Sequence, residues 1–445
     1  MSINPKILPR ILLFLTVVLI GAPFLYGQAN DKDAVKHYDV SLQLDIARKT
    51  LKGFMVITLG PEIADKSEFF ELDCGDLTIT SVKTGDQLLK FSVTNHRVQI
   101  ALPQSFRAGK SRLISVDYTG APRRGIRFFP DHMQVYTVFS TSQWMPCLDD
   151  PNERATLRLK LIVPSELVTV GNGKFQQRRK TSSTTIEDEW WQTIPVPSYT
   201  YGFAVGRFHS VSERHNSTEL RYVAEQFTTR QLLQIFRDSA DMMQFFEEKS
   251  GVKYPGASYT QVLATGGVEQ EMAGFTALRE RYGNDVLVNE RDVWLGAHEM
   301  AHQWWGIGVG CEAWTHFWLN EGIATFMADA YKEHRFGHEE YLKEIGESIK
   351  LYEKVRDAGK DKSLVFADWL HPTAEDRSLV YDKGAYVLHL LRGEMGEPAF
   401  WAGLRAYTTK YFGKSVVTAD FEQAMQAATS RDLKPFFRKW VYLSV

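Results

Sequence analysis

The sequence predicts an α+β protein of two domains, an antiparallel β saddle or sandwich followed by a mainly helical domain. Three observations carry this. The chain has 445 residues, 44% of them apolar, enough for more than one core. From about 31 to 210, apolar and polar residues alternate with the period of a half-buried strand. Beyond about 213, apolar residues recur at helical spacing. The formal net charge of −2 argues against a nucleic-acid binder, which would carry a basic excess. Cys74, Cys147 and Cys311 stand too far apart in sequence for a disulfide framework or a CxxC metal site.

Residues 1–29 read as a secretory signal. Lys6 and Arg10 precede an apolar run from Ile11 to Ile20, broken only by Thr16, and Gly27-Gln28-Ala29 offers a small-x-small cleavage site. A secreted or periplasmic location is expected, the alternative being an uncleaved N-terminal anchor facing outside. No later segment has the length and apolarity of a membrane span. Residues 30–212 form the expected β domain. Val40, Leu42, Leu44 and Ile46 alternate with polar residues, and Leu113–Tyr118 and Leu157–Val163 suggest further strands. Residues 213–445 form the expected helical domain, opening with a helix over 231–248. No repeat or low-complexity linker separates the two, so a substantial interface is expected.

The chemical signal is HEMAHQWWG, His298 to Gly306. Four residues apart on a helix, His298 and His302 project from one face and can share one zinc ion, with Glu299 beside them as a base for an activated water. Asn289 is expected to cap this helix, with Asp292 three residues on. Eighteen residues separate His302 from Glu321, which lies within WLNEGIA on a second helix expected to run to about Tyr331. A catalytic zinc site needs three protein ligands and one open position, and Glu321 is the third ligand.

HExxH, eighteen residues and a glutamate within WLNEG resemble the zinc gluzincin aminopeptidases typified by aminopeptidase N and leukotriene hydrolase. HYDVSLQLD from His37, WMPCLDDPNERATLRLKLIVP from Trp144, SYTYGFAVGRF from Ser198 and YDKGAYVLHLLR from Tyr381 are similar to further segments of that family, in the same order. The resemblance implies a thermolysin-like catalytic domain holding one Zn2+ per chain. It also implies peptide substrates with a free N-terminus. Tyr381 would donate a hydrogen bond to the oxyanion. The family's exopeptidase motif corresponds to Gly266-Gly267-Val268-Glu269-Gln270, whose glutamate would bind the substrate amine. Two candidates stand for that role. The Gly-Gly turn favours Glu269, whereas Glu271 aligns without a gap to Gly274 and to Arg279-Glu280.

Other positions depart from the family. Ala328, with Asp329 beside it, stands where a glutamate often supports a ligand histidine. Val135 and Thr137 occupy the region where the first domain usually lends a Gln or Glu to the amine site, with Gln134 just outside it. The chain ends soon after the Tyr381–Arg392 segment, where larger members continue into a helical domain. A more open cleft, or one covered by a partner subunit, is expected, and a homo-oligomer is compatible with this. Cys311, Trp304 and Trp305 are expected to serve packing, and His316 to start a helix. Two rival readings are a zinc endopeptidase without a free-amine requirement and a noncatalytic zinc- or peptide-binding surface protein.

Overall fold

The computed structural model describes residues 34–444, apart from 62, 64–67, 105, 107–111 and 367–371. The signal expected at 1–29 lies outside the described residues. The first part of the chain builds an eight-stranded sheet. At its centre are β1 (Val35–Asp45) and β2 (Thr50–Leu59), with β3 (Leu113–Gly120) beside β2, and β4 (Arg154–Pro164) then β5 (Thr185–Pro197) beyond β1. The period-two pattern becomes burial: Val40, Leu42 and Leu44 face the core while Gln43 faces water. One expectation needs correction. The sheet is not wholly antiparallel, because β1 and β4 run parallel, with Val40 opposite Leu159 and Leu42 opposite Leu161. A parallel pair needs a crossover, and β2, β3 and the intervening chain supply it.

A four-stranded antiparallel sheet, containing Gln134–Thr137 and Phe203–Gly206, shares its core with the large one. Val135 and Phe203 from the smaller sheet join Leu42 and Leu157 from the larger in one buried cluster. A mixed sheet of five strands follows, in the spatial order β6 (His209–His215), β7 (Thr218–Ala224), β8 (Ser258–Ala264), β10 (Phe275–Arg279) and β9 (Gln270–Met272). The boundary expected at 212/213 falls inside β6. The strand β9 is an edge, paired only with β10.

Helices then cover this sheet. The single helix expected over 231–248 is two, α1 (Thr229–Ile235) and α2 (Ser239–Ser250). Both present apolar side chains to the same core, so the stripe continues across the break and hides it from the sequence pattern. A capping box between Thr228 and Gln231 starts α1, and Gly251, at φ +74°, ends α2. Next come α3 (Glu280–Val288), α4 (Trp294–Ala301), α5 (Trp318–Phe336), α6 (His338–Asp357) and α7 (Gly384–Met395). Asn289 does not cap α4. It ends α3, and its side chain ties Arg291 N and Asp292 into the short link between the helices.

The helix α5 is the axis of the second domain. Every residue from Trp318 to Lys332 is buried, as expected of a helix surrounded by protein. It meets α7 at a glycine on each: a Cβ on Gly384 would lie 2.8 Å from the Cα of Gly322, and one on Gly322 would lie 2.9 Å from the Cα of Gly384. The contact is backbone against backbone, so neither side can yield by rotating a side chain. Gly384→Ala is therefore expected to destabilise the protein by roughly 1–3 kcal/mol through overpacking, despite alanine's better helix propensity. Urea unfolding measures this, and unchanged or greater stability would show that the helices do not meet so closely.

Candidate active site

The helix α4 delivers His298 and His302 from one face, and α5 delivers Glu321 one turn from its start. Nε2 of His298 and Nε2 of His302 are 3.1 Å apart, and each lies 3.3 Å from Oε2 of Glu321. A tetrahedron with arms of about 2.0 Å has edges of about 3.3 Å, so these atoms trace one face of a tetrahedral zinc-type site. Oε2 of Glu321 is buried and accepts no hydrogen bond from another described residue. These three residues are also the one such group of potential metal ligands among the described residues.

Electrostatics favour the same occupant. Burial works against a charged His302, yet the carboxylates of Glu321, Glu271 and Glu299 outweigh it and hold the ring's pKa up at about 10. Burial favours a neutral Glu321, but the facing imidazoles prevail and draw it down to about 2. Burial, and then the Glu271 and Glu321 charges, push Glu299 well above the usual carboxylate range against the pull of His302. Three carboxyl groups and two imidazoles form a buried cluster whose charges are offset by protons, and a divalent cation would take the place of those protons.

The histidines are held from behind. Nδ1 of His302 lies 3.0 Å from the Trp305 carbonyl oxygen. This contact assigns the proton to Nδ1 and frees Nε2 for a metal. Gly306, at φ +125°, lets the chain turn tightly there, since a Cβ would sit 3.0 Å from His302 Nδ1. Behind His298, Thr325 Oγ1 lies 3.4 Å from Nδ1.

Glu271 and Tyr381 line one cavity of about 530 Å³ between the two domains. Tyr381 sits in a π-helical turn, Leu379–Lys383, just before α7. Its ring lies nearly parallel to that of His298, centroids 5.9 Å apart. Burial, then the charges of Glu321, Glu271 and Glu299, push its phenol well above the usual value, so it is a proton-bearing donor. Glu271 lies on edge strand β9, is 5% exposed and accepts a 2.8 Å hydrogen bond from Gln270 Nε2. Burial pushes its carboxyl up to about 7.

Glu269, favoured by the Gly-Gly turn, is placed differently. Its carboxylate pairs with Arg279 Nε at 2.5 Å, and it does not line the cavity. The glycines explain the difference. Gly266, at φ +111°, packs where a Cβ would meet Phe129 and Tyr136, so the turn serves contact with the first domain. Gly267 has open space around it and also lies outside the cavity lining.

Several residues were not legible in the motifs. Tyr199, Trp314 and Phe317 build an aromatic wall beside Glu271, with ring centroids 5.1 Å apart for Tyr199–Trp314 and 5.2 Å for Trp314–Phe317. Gln143, rather than Gln134 or Thr137, is the first-domain amide on the cavity. Gln134 instead holds Thr265 N at 2.6 Å, and Thr137 donates to Phe203 O and Met272 Sδ. Trp304 and Trp305 are fully buried, and Nδ1 of His316 pairs with Thr418 Oγ1 at 3.0 Å. Cys311 is buried and free.

Comparisons with known proteins match both parts of the chain. Residues 236–440 match the peptidase family M1 domain, and residues 34–200 match the peptidase M1 N-terminal domain. The chain is 27% identical to aminopeptidase N of Lactococcus lactis subsp. lactis, over 91% of this chain and 50% of that protein. It is 25% identical to aminopeptidase M1-B of Oryza sativa subsp. japonica, over 91% and 49%. The chain thus spans about half the length of these relatives. Among solved structures, a two-domain M1 zinc metallopeptidase variant bound to L-tryptophan superimposes with a TM-score of 0.79 at 21% identity, covering 94% of this chain and 96% of that one. An M1 zinc metallopeptidase from Deinococcus radiodurans gives 0.76 at 22%, over 92% and 94%.

Glu321→Ala should abolish one-per-chain binding of a divalent cation, whereas Glu269→Ala should leave it intact. Metal analysis after gel filtration checks both. Full metal content in the Glu321 variant would show that the triangle is not the site.

Proposed function

The chain belongs to peptidase family M1, and from that membership we propose that it is a zinc-dependent aminopeptidase, hydrolysing the N-terminal peptide bond of peptides. His298, His302 and Glu321 would hold the ion. Bound there, zinc would act as a Lewis acid toward the scissile carbonyl and lower the pKa of a water molecule. Glu299, buried beside the ligands, takes a proton from the attacking water and returns it to the leaving amine. Tyr381 donates its phenolic proton in a hydrogen bond to the carbonyl oxygen as negative charge develops there. Glu271 receives the substrate's α-ammonium group.

One observation carries this reading: Glu271 shares the cavity with Tyr381, and among the described residues no lysine or arginine pairs with it. A buried carboxylate without a lysine or arginine to pair with is a poor structural element and a good receptor for an ammonium ion. Glu269, neutralised by Arg279, is not available in that way. The segment at 1–29 supports a secreted or periplasmic location.

Glu299→Gln should keep zinc and lose turnover by about 10³-fold or more, since general-base catalysis contributes typically 10²–10⁴-fold. Activity near that of the unsubstituted chain would remove Glu299 from the chemistry. Paired assays of a peptide with a free and an N-acetylated terminus test the amine receptor. The free form should be strongly preferred, and Glu271→Gln should erode the preference while Glu269→Gln should not. Equal cleavage of both forms by the unsubstituted chain would replace the aminopeptidase reading with an endopeptidase.

A further inference from the structure

The two ligand histidines are held by unequal means. His302 has a backbone carbonyl at 3.0 Å on its Nδ1, whereas His298 has only Thr325 Oγ1 at 3.4 Å, the far limit of a hydrogen bond. Among the described residues no carboxylate hydrogen-bonds to either ring from behind, and Ala328 offers none. A different support is present. One helical turn before His298, the indole of Trp294 lies nearly flat against the imidazole, with centroids 5.0 Å apart and planes 20° apart. The indole is fixed in turn: its Nε1 donates to Oδ1 of Asp329 at 2.7 Å. Asp329 comes from α5, the helix that also carries Glu321, and is 1% exposed.

We propose that Trp294 is the positioning residue for His298, and that Asp329 locks it by holding the indole N–H across the two ligand-bearing helices. This rests on the zinc-site reading above. An imidazole has one free torsion that swings its plane, and a stacked ring fixed at its far edge restricts that torsion without touching a nitrogen. Because the lock joins α4 to α5, it also sets the helix separation at which His298 and Glu321 can reach one ion. Burial pushes the Asp329 carboxyl well up, against the pull of the indole N–H, so a neutral acceptor of the same shape can replace it.

The test is zinc retention. Each variant is loaded with zinc and challenged with excess chelator, and the rate of zinc loss is followed. Cobalt(II)-substituted samples report ligand geometry by absorption. Trp294→Ala should lose zinc about 10- to 100-fold faster, the range typical of residues that orient a ligand from behind. Trp294→Phe and Asp329→Leu should accelerate loss less and alter the cobalt spectrum. Asp329→Asn keeps an acceptor and should restore both readouts to those of the unsubstituted chain. A general loss of stability would instead lower the melting temperature of the metal-free variants in parallel with retention. Unchanged zinc loss and an unchanged cobalt spectrum in both Trp294 variants would overturn the proposal, as would a melting temperature that accounts for every change. Failure of the unsubstituted chain to bind zinc would overturn the zinc-site reading together with this one.

Discussion

Three buried carboxyl groups, Glu271, Glu299 and Glu321, surround two imidazoles, and the cluster can ionise fully only when positive charge enters from outside the fold. Leaving a carboxylate buried and unmatched costs several kcal/mol, more than most single interactions return. The protein's own buried cations on the neighbouring helices are committed elsewhere. Lys332 serves Glu340 and Glu344, and Lys383 serves Asp361 at 2.8 Å. The donor triangle and the Glu271 carboxyl on the cavity thus belong to one buried cluster. One part of it faces a cation held by nitrogen and oxygen ligands, and the other faces the cavity, where an ammonium group can enter.

That cluster is tolerable only because the backbone holds the groups rigidly. The contact of Gly322 with Gly384 sets the backbone of α5 directly against that of α7, and it lies next to Glu321 on one side and three residues from Tyr381 on the other. The π-helical turn at Leu379–Lys383 adds a local widening that re-aims Tyr381, and the buried Lys383–Asp361 pair fastens its end. The distance from carboxylate to phenol is thereby set by main-chain geometry rather than by side-chain rotamers.

The donor triangle was legible in the sequence because its spacing is itself the geometry. Four residues along a helix are one turn, and no tertiary information is needed to see that His298 and His302 share a face. Glu271 was harder, because the choice against Glu269 depends on strand register and on Arg279, which lies on the neighbouring strand β10 and draws Glu269 away. A glycine pair reads as a backbone approaching a ligand, but here it approaches Phe129 and Tyr136 of the other domain. The same limit explains the parallel β1–β4 pair and the break between α1 and α2. Alternation and helical spacing report which face is buried, and neither reports strand direction or a turn that leaves the stripe continuous. The aromatic wall was invisible for a related reason, since Tyr199 and Trp314 meet only when the domains do. Trp294 was not legible either, since its place four residues before His298 puts it on the same helix face but does not show the ring lying flat against the imidazole.

The first domain is more than a cover for the cleft. The hydroxyl of Tyr199 donates to the Gly306 carbonyl at 3.0 Å and accepts from Asn320 Nδ2 at 2.9 Å, so it touches both the turn behind His302 and the residue preceding Glu321. Arg154 reaches the Ile307 carbonyl at 2.6 Å, one residue further along the same turn. Gly306 is the residue whose missing side chain leaves room for His302 Nδ1. Two contacts therefore connect the β domain to a metal-ligand nitrogen, and the ring making the first of them also walls the cavity beside Glu271. The contacts behind His302 and the wall beside Glu271 thus both draw on the first domain, which makes the domain interface part of the site's geometry.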